Sequence, residues 1–279
     1  MIRLQHGPID LLCRAWGAPD EVRAAYAQAQ AAFPAVLPGL CRELERLRTQ
    51  LQPPPARPLA LESNVARAMV AACLPYAAGF ITPMAAVAGA VADRMLAAMR
   101  AGRRLERAFV NNGGDIAFHL APGQSLRCGL VAELAAPALD GVFTLPAERP
   151  ARGLATSGRA CKGQGGRSFS FGIADAVTIL ARTAAEADAA ATVVGNAVDL
   201  PCHPAITRRP AADIDPDSDL GARRIAWAVG PLQVAEVDAA LDAGRLVADA
   251  LLRRGLIEGA VLALRGRFAL SLPPMLEAA

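Results

Sequence analysis

Apolar and polar residues alternate loosely from Leu4 to Trp16, with Gly7-Pro8 between the two halves, and this pattern predicts an opening β-hairpin. The period then lengthens. Asp20 is placed to cap a helix beginning near Glu21, and Pro34 and Pro38 interrupt that helix before a second one starts. Leu37, Leu40, Leu44, Leu47 and Leu51 recur at spacings of three and four, one stripe of an amphipathic helix. Such a seam could pair two subunits in a homodimer. It spans only two heptads, so packing on the chain's own sheet is the expectation. Pro53-Pro54-Pro55 ends the helix and makes a stiff connection.

Residues 68 to 92 carry no charge, and a membrane span needs about 20 apolar residues. Pro75 and Pro83 fall inside the stretch with Gly79 between them, and a helix breaks at such positions. Two buried helices are expected instead, one ending before Pro75 and one over Met84 to Arg100, with no membrane segment. Strands are predicted at Arg107–Val110, Ile116–Leu120, Leu126–Leu134, Gly141–Leu145, Gly153–Thr156 and within Ser168–Leu180, followed by a helix over Ala184–Val198. A polar loop, a strand at Ile225–Val229, a helix over Val234–Arg254 and closing strands at Ala260–Leu264 and Phe268–Leu272 complete the pattern. Hairpins grouped with long helices imply an α+β protein with a mostly antiparallel sheet. No composition shift marks a boundary, so residues 1–279 read as one domain.

Composition changes this picture little. Apolar residues make up 53% of the 279, but alanine inflates the figure and aromatics are only 4%, so the core is built from small side chains. A net charge of +3 without any block of like charge gives no footprint for nucleic acid. The six cysteines (Cys13, Cys41, Cys73, Cys128, Cys161, Cys202) include no CxxC pair and read as free thiols of a reducing compartment. The first residues lack the long apolar run of a secretory signal, and the expected location is the cytoplasm.

Three short elements carry candidate chemistry. Asn112-Gly113-Gly114-Asp115 joins two predicted strands and is a hairpin turn by composition; its adjacent glycines would also let a phosphate approach bare amides. Thr156-Ser157-Gly158 leads into Lys162-Gly163-Gln164-Gly165-Gly166-Arg167, a glycine-rich loop with two cations that matches neither standard phosphate fingerprint. Asp188 and Thr192 stand four apart on a predicted helix and so share a face. They read either as a capping or solvent pair or as oxygens for a magnesium ion, which takes one or two protein ligands and completes its shell with phosphate and water. Asp213-x-Asp215-x-Asp217-x-Asp219 resembles the start of a calcium loop but has Ser218 and Arg224 where glycine and glutamate are required, so it reads as a solvated loop. Cys202-His203 has no partner pair at zinc spacing, and His6 and His119 read as structural.

Taken in order, these pieces resemble the ApbE family of flavin transferases, which use FAD. The elements that carry the resemblance are Val87-Ala88-Gly89-Ala90-Val91-Ala92-Asp93, Asn111-Asn112-Gly113-Gly114-Asp115-Ile116, Ala155-Thr156-Ser157-Gly158 and Ala187-Asp188-Ala189-Ala190-Ala191-Thr192. Gly7-Pro8-Ile9-Asp10-Leu11, Ser170-Phe171-Gly172-Ile173-Ala174-Asp175-Ala176-Val177 and Asp217-Ser218-Asp219-Leu220-Gly221 look like a smaller branch related to ApbE. The resemblance implies a T-fold-type α+β architecture, an antiparallel sheet with long helices on one face. It implies Mg²⁺ at Asp188 and Thr192, and FAD or FMN lined by Asn112, Gly113, Gly114, Asp115, Thr156, Ser157 and Gly158. It further implies transfer of FMN from FAD to a threonine hydroxyl of an acceptor protein. Ala88 stands where the family has lysine, and the family's His-x-x-Asp-Pro-x-Thr-Gly loop is absent. Both departures weaken phosphoryl transfer more than metal binding. A second reading, implied by the branch's association with sulfur and homocysteine metabolism, places a reactive thiol at Cys161 beside Lys162. A third is a scaffold in which the motifs serve packing.

Overall fold

The computed structural model describes residues 1–54, 59–130, 141–158 and 169–272. Strands β1 (Ile2–His6) and β2 (Ile9–Gly17) form the expected hairpin, with Gly7 at φ +56° in its turn. Helix α1 (Pro19–Ala32) begins ahead of the predicted cap. Pro19 occupies the first helical turn, where its fixed φ suits the helix and its missing N–H leaves nothing unsatisfied. Asp20 and Glu21 lie inside that turn and complement the positive helix end instead of capping it.

The leucine stripe does not form one helix. It is divided between α2 (Val36–Cys41) and α3 (Leu44–Leu47), with Leu40, Leu47 and Leu51 buried in the chain's own core. The break falls at Glu43, whose buried carboxylate accepts the amides of Glu62 at 2.6 Å and Ser63 at 3.1 Å. A carboxylate removed from water needs such partners, and satisfying it outweighs helical regularity over this short stretch. Ser63 in turn caps α4 (Asn64–Cys73). Short 3₁₀ turns at Leu74–Tyr76 and Pro83–Ala86 separate α4 from α5 (Val87–Arg100), as the prolines require. Among the described residues no helix is long and apolar enough to cross a membrane.

The remaining elements are β3 (Leu105–Asn112), β4 (Asp115–Leu120), β5 (Ser125–Leu130), β6 (Gly141–Pro146), β7 (Gly153–Ser157), β8 (Ala176–Ala181), α6 (Ala184–Ala197), β9 (Ile206–Pro210), β10 (Arg224–Val229), α7 (Val234–Arg253), β11 (Gly259–Leu264) and β12 (Arg267–Ser271). Two differ from the pattern expected of the sequence. Strand β8 starts only at Ala176, because residues 170–173 instead bond to the end of α6: Ser170 Oγ and the Phe171 amide meet Asn196 Oδ1, and the Ile173 amide donates to the Val198 carbonyl. Strand β9 occupies part of the stretch expected to be a polar loop, where Ile206 is its one buried side chain.

Contacts divide the chain into two compact units, Met1–Cys128 with Phe143–Ala155 and Leu180–Ala189, and Gly129–Val142 with Thr156–Ile179 and Ala190–Ala279. In the first, strand order is β1-β2-β3-β4-β7, antiparallel at each step. Helices α1 and α5 pack on the inward row of this sheet, which Ile9, Leu11, Cys13, Ala15, Ala108 and Val110 supply. On its other face Phe118 and Leu120 pack with Leu145, Ala151 and side chains of β5 and β6. The second unit has α7 on the antiparallel pair β11–β12, and the ribbon β9–β10. Gly244 of α7 lies so close to Val198 and Leu262 that a Cβ would stand 2.3 Å from the valine side chain. The alanine- and glycine-rich composition is thus used for close helix packing.

Candidate functional site

Asn112-Gly113-Gly114-Asp115 is a two-residue hairpin turn, with Asn112 paired to Asp115. Gly113 at φ +65° and Gly114 at φ +110° both occupy the left-handed region, which is why the turn needs two glycines. Asn111 Oδ1 accepts the Gly114 amide at 2.8 Å and closes it. A Cβ on either glycine would meet no heavy atom within 4 Å, so the backbone there is open to approach. Strand alternation places Asn112 on the same inward row as Val110, and Asp115 shares that row as its cross-strand partner. Asn112 is therefore aimed at α5, and its Nδ2 donates to the Ala88 carbonyl at 3.1 Å.

Asp188 lies one turn into α6 and reaches the same place from another direction. Its Oδ2 accepts the Gly89 amide at 3.0 Å, and the Ala88 amide is a second donor to the carboxylate. These are unpaired N–H groups of the first turn of α5, where the helix dipole favours negative charge. Ala88 and Gly89 thus connect the Asn-Gly-Gly-Asp turn to Asp188, three segments that the sequence places 24 and 99 residues apart. Helices α5 and α6 approach so closely here that a Cβ on Gly89 would stand 2.2 Å from the Ala184 carbonyl oxygen. Asp93, also on α5, accepts the Ala184 and Ala185 amides at 3.0 and 2.9 Å.

The carboxylate expected to hold a cation therefore already has two backbone donors. A carboxylate offers about four lone-pair sites, and Asp188 retains partial solvent contact. Thr192, also partly exposed, follows one turn later on α6. Among the described residues no three His, Cys, Asp or Glu side chains converge. A hard cation at Asp188 would complete its shell from a hydroxyl, carbonyls, water and ligand phosphate, which is how magnesium is usually held.

Desolvation pushes Asp188 up to about 7 against the pull of its two amides, with the Asp93 charge adding to the rise. Burial likewise raises Asp93 to about 6, opposed by its bonds to Ala185 and Ala184 and helped by Glu186. Cys73 is buried beside them. Desolvation first, and Asp188 second, hold its thiol well above the ordinary range, so it stays protonated and is no nucleophile.

The two raised carboxyls have a consequence for stability. The native state keeps protons that the unfolded chain would release, so their contribution is full below about pH 4 and is lost as pH rises through about 6 and 7. Urea unfolding of wild type and Asp188→Asn between pH 5 and pH 8 should show the variant gaining on wild type as pH rises, by on the order of 1–3 kcal/mol. A pH-independent difference between the two would contradict the buried-acid assignment.

The other predicted residues lie in the second unit. Thr156 Oγ1 and Thr178 Oγ1 share a hydrogen bond of 2.9 Å across β7 and β8. Ser157 faces Gly195 of α6, where a Cβ would approach its Oγ to 3.8 Å. Gly158 at φ +145° is pressed against the Asp175 backbone; a Cβ there would lie 2.3 Å from the carbonyl oxygen. Cys161, Lys162 and the rest of the glycine-rich loop lie outside the described residues. The histidines have structural partners: His6 meets the Phe33 ring, His119 the Leu105 carbonyl and His203 the Glu236 carboxylate. The Asp213–Asp219 loop closes on itself through Asp215 Oδ1 and the Asp217 amide.

A protein-family model described as AbpE bacteria matches residues 1–270. A UPF0280 protein of Methanoregula boonei is 37% identical over 173 residues, 58% of this chain and 67% of that protein. UPF0280 proteins of Methanosphaerula palustris and Methanospirillum hungatei are 40% and 37% identical over 119 and 122 residues, 42% and 43% of this chain. The chain spans about half the length of these last two relatives, 47% and 46%. Two solved structures are similar at a lower level. The ApbE protein of Thermotoga maritima shares 16% identity over 93% of this chain and 77% of that one, with a TM-score of 0.39. A histidine-to-glycine mutant of the flavin transferase ApbE from Vibrio cholerae shares 15% over 91% and 75%, with a TM-score of 0.36.

Proposed function

We propose that this chain, which belongs to the AbpE bacterial family, binds a flavin nucleotide, FAD or FMN, together with Mg²⁺. One observation carries the reading: Asn112 bonds to the Ala88 carbonyl and Asp188 to the Ala88 and Gly89 amides, so the glycine turn and the Asp188 carboxylate belong to one local structure. The ligand class comes from the resemblance of Asn111–Asp115 and Ala187–Thr192 to the ApbE flavin transferases.

In this reading Gly113 and Gly114 present open backbone to a phosphate, and Asp115 shares the row of Asn112 beside it. Asp188 supplies the carboxylate oxygen for the cation. Mg²⁺ bound there would neutralise charge on phosphoryl oxygens. Because burial holds Asp188 near 7, binding a cation must displace a proton, so cation affinity rises between pH 6 and 8. Transfer of FMN to a protein acceptor is the further activity this family reading allows. Ala88 supplies only a methyl group and two backbone bonds, so the chain offers no side-chain cation at that position.

The test is a thermal-shift titration with FAD, FMN and AMP, each with Mg²⁺ and with EDTA, at pH 6 and pH 8. A flavin-specific rise in Tm that requires Mg²⁺ and is larger at pH 8 is expected. Equal response with EDTA removes the metal from the reading, and no response to any nucleotide removes the ligand. In that last case the scaffold reading stands.

A further inference from the structure

Asp93 and Asp188 make a reciprocal exchange. Asp93 lies four residues after Gly89 and holds the first two amides of α6; Asp188 lies four residues after Ala184 and holds amides of the first turn of α5. The Asp93 contact is two-pronged, Oδ1 to Ala184 at 3.0 Å and Oδ2 to Ala185 at 2.9 Å. Thr183 Oγ1 accepts the next amide, that of Glu186, at 3.1 Å, which completes the first turn of α6. Between the two carboxylates stands Gly89, with no room for a side chain against Ala184. Both oxygens of Asp93 are directed to the start of α6.

We infer that Asp93 is a positioning residue for the site: it clamps the start of α6 and thereby holds the Asp188 carboxylate in register with Ala88, Gly89 and the Asn112 turn. The physical reason is geometric. Asp188 sits one helical turn from the clamp, and a ligand oxygen on a rigid element must be held within about 0.5 Å to keep its affinity. The inference rests on the proposed Mg²⁺ reading for its functional consequence, while the clamp itself does not depend on it.

The test uses Asp93→Ala and Asp93→Asn in the full chain, with two measurements. Amide hydrogen exchange reports the clamp without any metal, and Mn²⁺ titration followed by electron paramagnetic resonance reports the site. In Asp93→Ala, exchange at Ala184 and Ala185 should rise at least about tenfold and should rise also at Ala88 and Gly89, with β11 and β12 unchanged. Mn²⁺ affinity should fall by about 10–100-fold, the range typical of partners that orient a metal ligand. Asp93→Asn, which keeps one acceptor oxygen and the side-chain volume, should fall between wild type and Asp93→Ala and guards against global unfolding. Faster exchange at Ala184 and Ala185 alone, with Ala88, Gly89 and Mn²⁺ affinity as in wild type, overturns the inference. If wild type binds no Mn²⁺, the metal reading fails, and the exchange at Ala88 and Gly89 still decides the clamp.

Discussion

Gly89→Ala should destabilise the protein by about 3 kcal/mol or more, the upper range for forcing atoms into a packed interior. The added methyl would stand 2.2 Å from the Ala184 oxygen, 2.4 Å from its carbon and 2.7 Å from the Ala185 nitrogen, all backbone atoms at the start of α6. Backbone at a helix start cannot rotate aside as a flexible side chain can, so the two helices must separate and stretch the bonds of both Asp93 and Asp188. At roughly 2–4 °C per kcal/mol for a chain of this size, Tm should fall by about 6–12 °C. Gly114→Ala is the control: its Cβ has open space, and only the positive φ opposes it, worth about 1–2 kcal/mol. Equal Tm values for the two variants would show that α5 and α6 do not cross as closely as described.

Asp188→Asn should separate binding from folding. The carboxamide keeps the volume and one acceptor for the α5 amides, so the variant should fold with a Tm at pH 8 equal to or above wild type. It loses the negative charge, and Mg²⁺ affinity should fall by at least about 100-fold, since removing a partner that merely orients a metal ligand already costs about 10–100-fold. Isothermal titration with Mg²⁺ in the presence of FAD reads the effect. An unchanged Mg²⁺ affinity would leave Asp188 as a helix-capping residue and nothing more. Asp188→Ala differs in a useful way: it also removes the cap on α5, so its Tm should drop together with binding.

Several local features are legible in the amino-acid order alone. Two adjacent glycines after Asn112 specify a tight turn because both positions need positive φ, and they adopt +65° and +110°. Pro75 and Pro83 divide a charge-free stretch into α4 and α5, because a proline removes a helix amide and crowds the preceding turn. Asp188 and Thr192 fall on one helix as their spacing implies. Where a local pattern misleads, a distant partner overrules it. The leucine stripe breaks at Glu43 because that carboxylate binds the amides of Glu62 and Ser63, 19 and 20 residues away.

The alternation of apolar residues, the prolines and the paired glycines determined the α+β class, most element positions and the Asn-Gly-Gly-Asp turn, because each acts within a few residues of itself. The partners of Asp188 and Asp93 were decided only by tertiary structure. Their donors are main-chain amides at two helix starts, 99 and 100 residues away for Asp188 and 91 and 92 for Asp93. A backbone N–H has no side-chain signature, so no spacing rule can announce it; only the close crossing that Gly89 permits brings the two helix ends within reach.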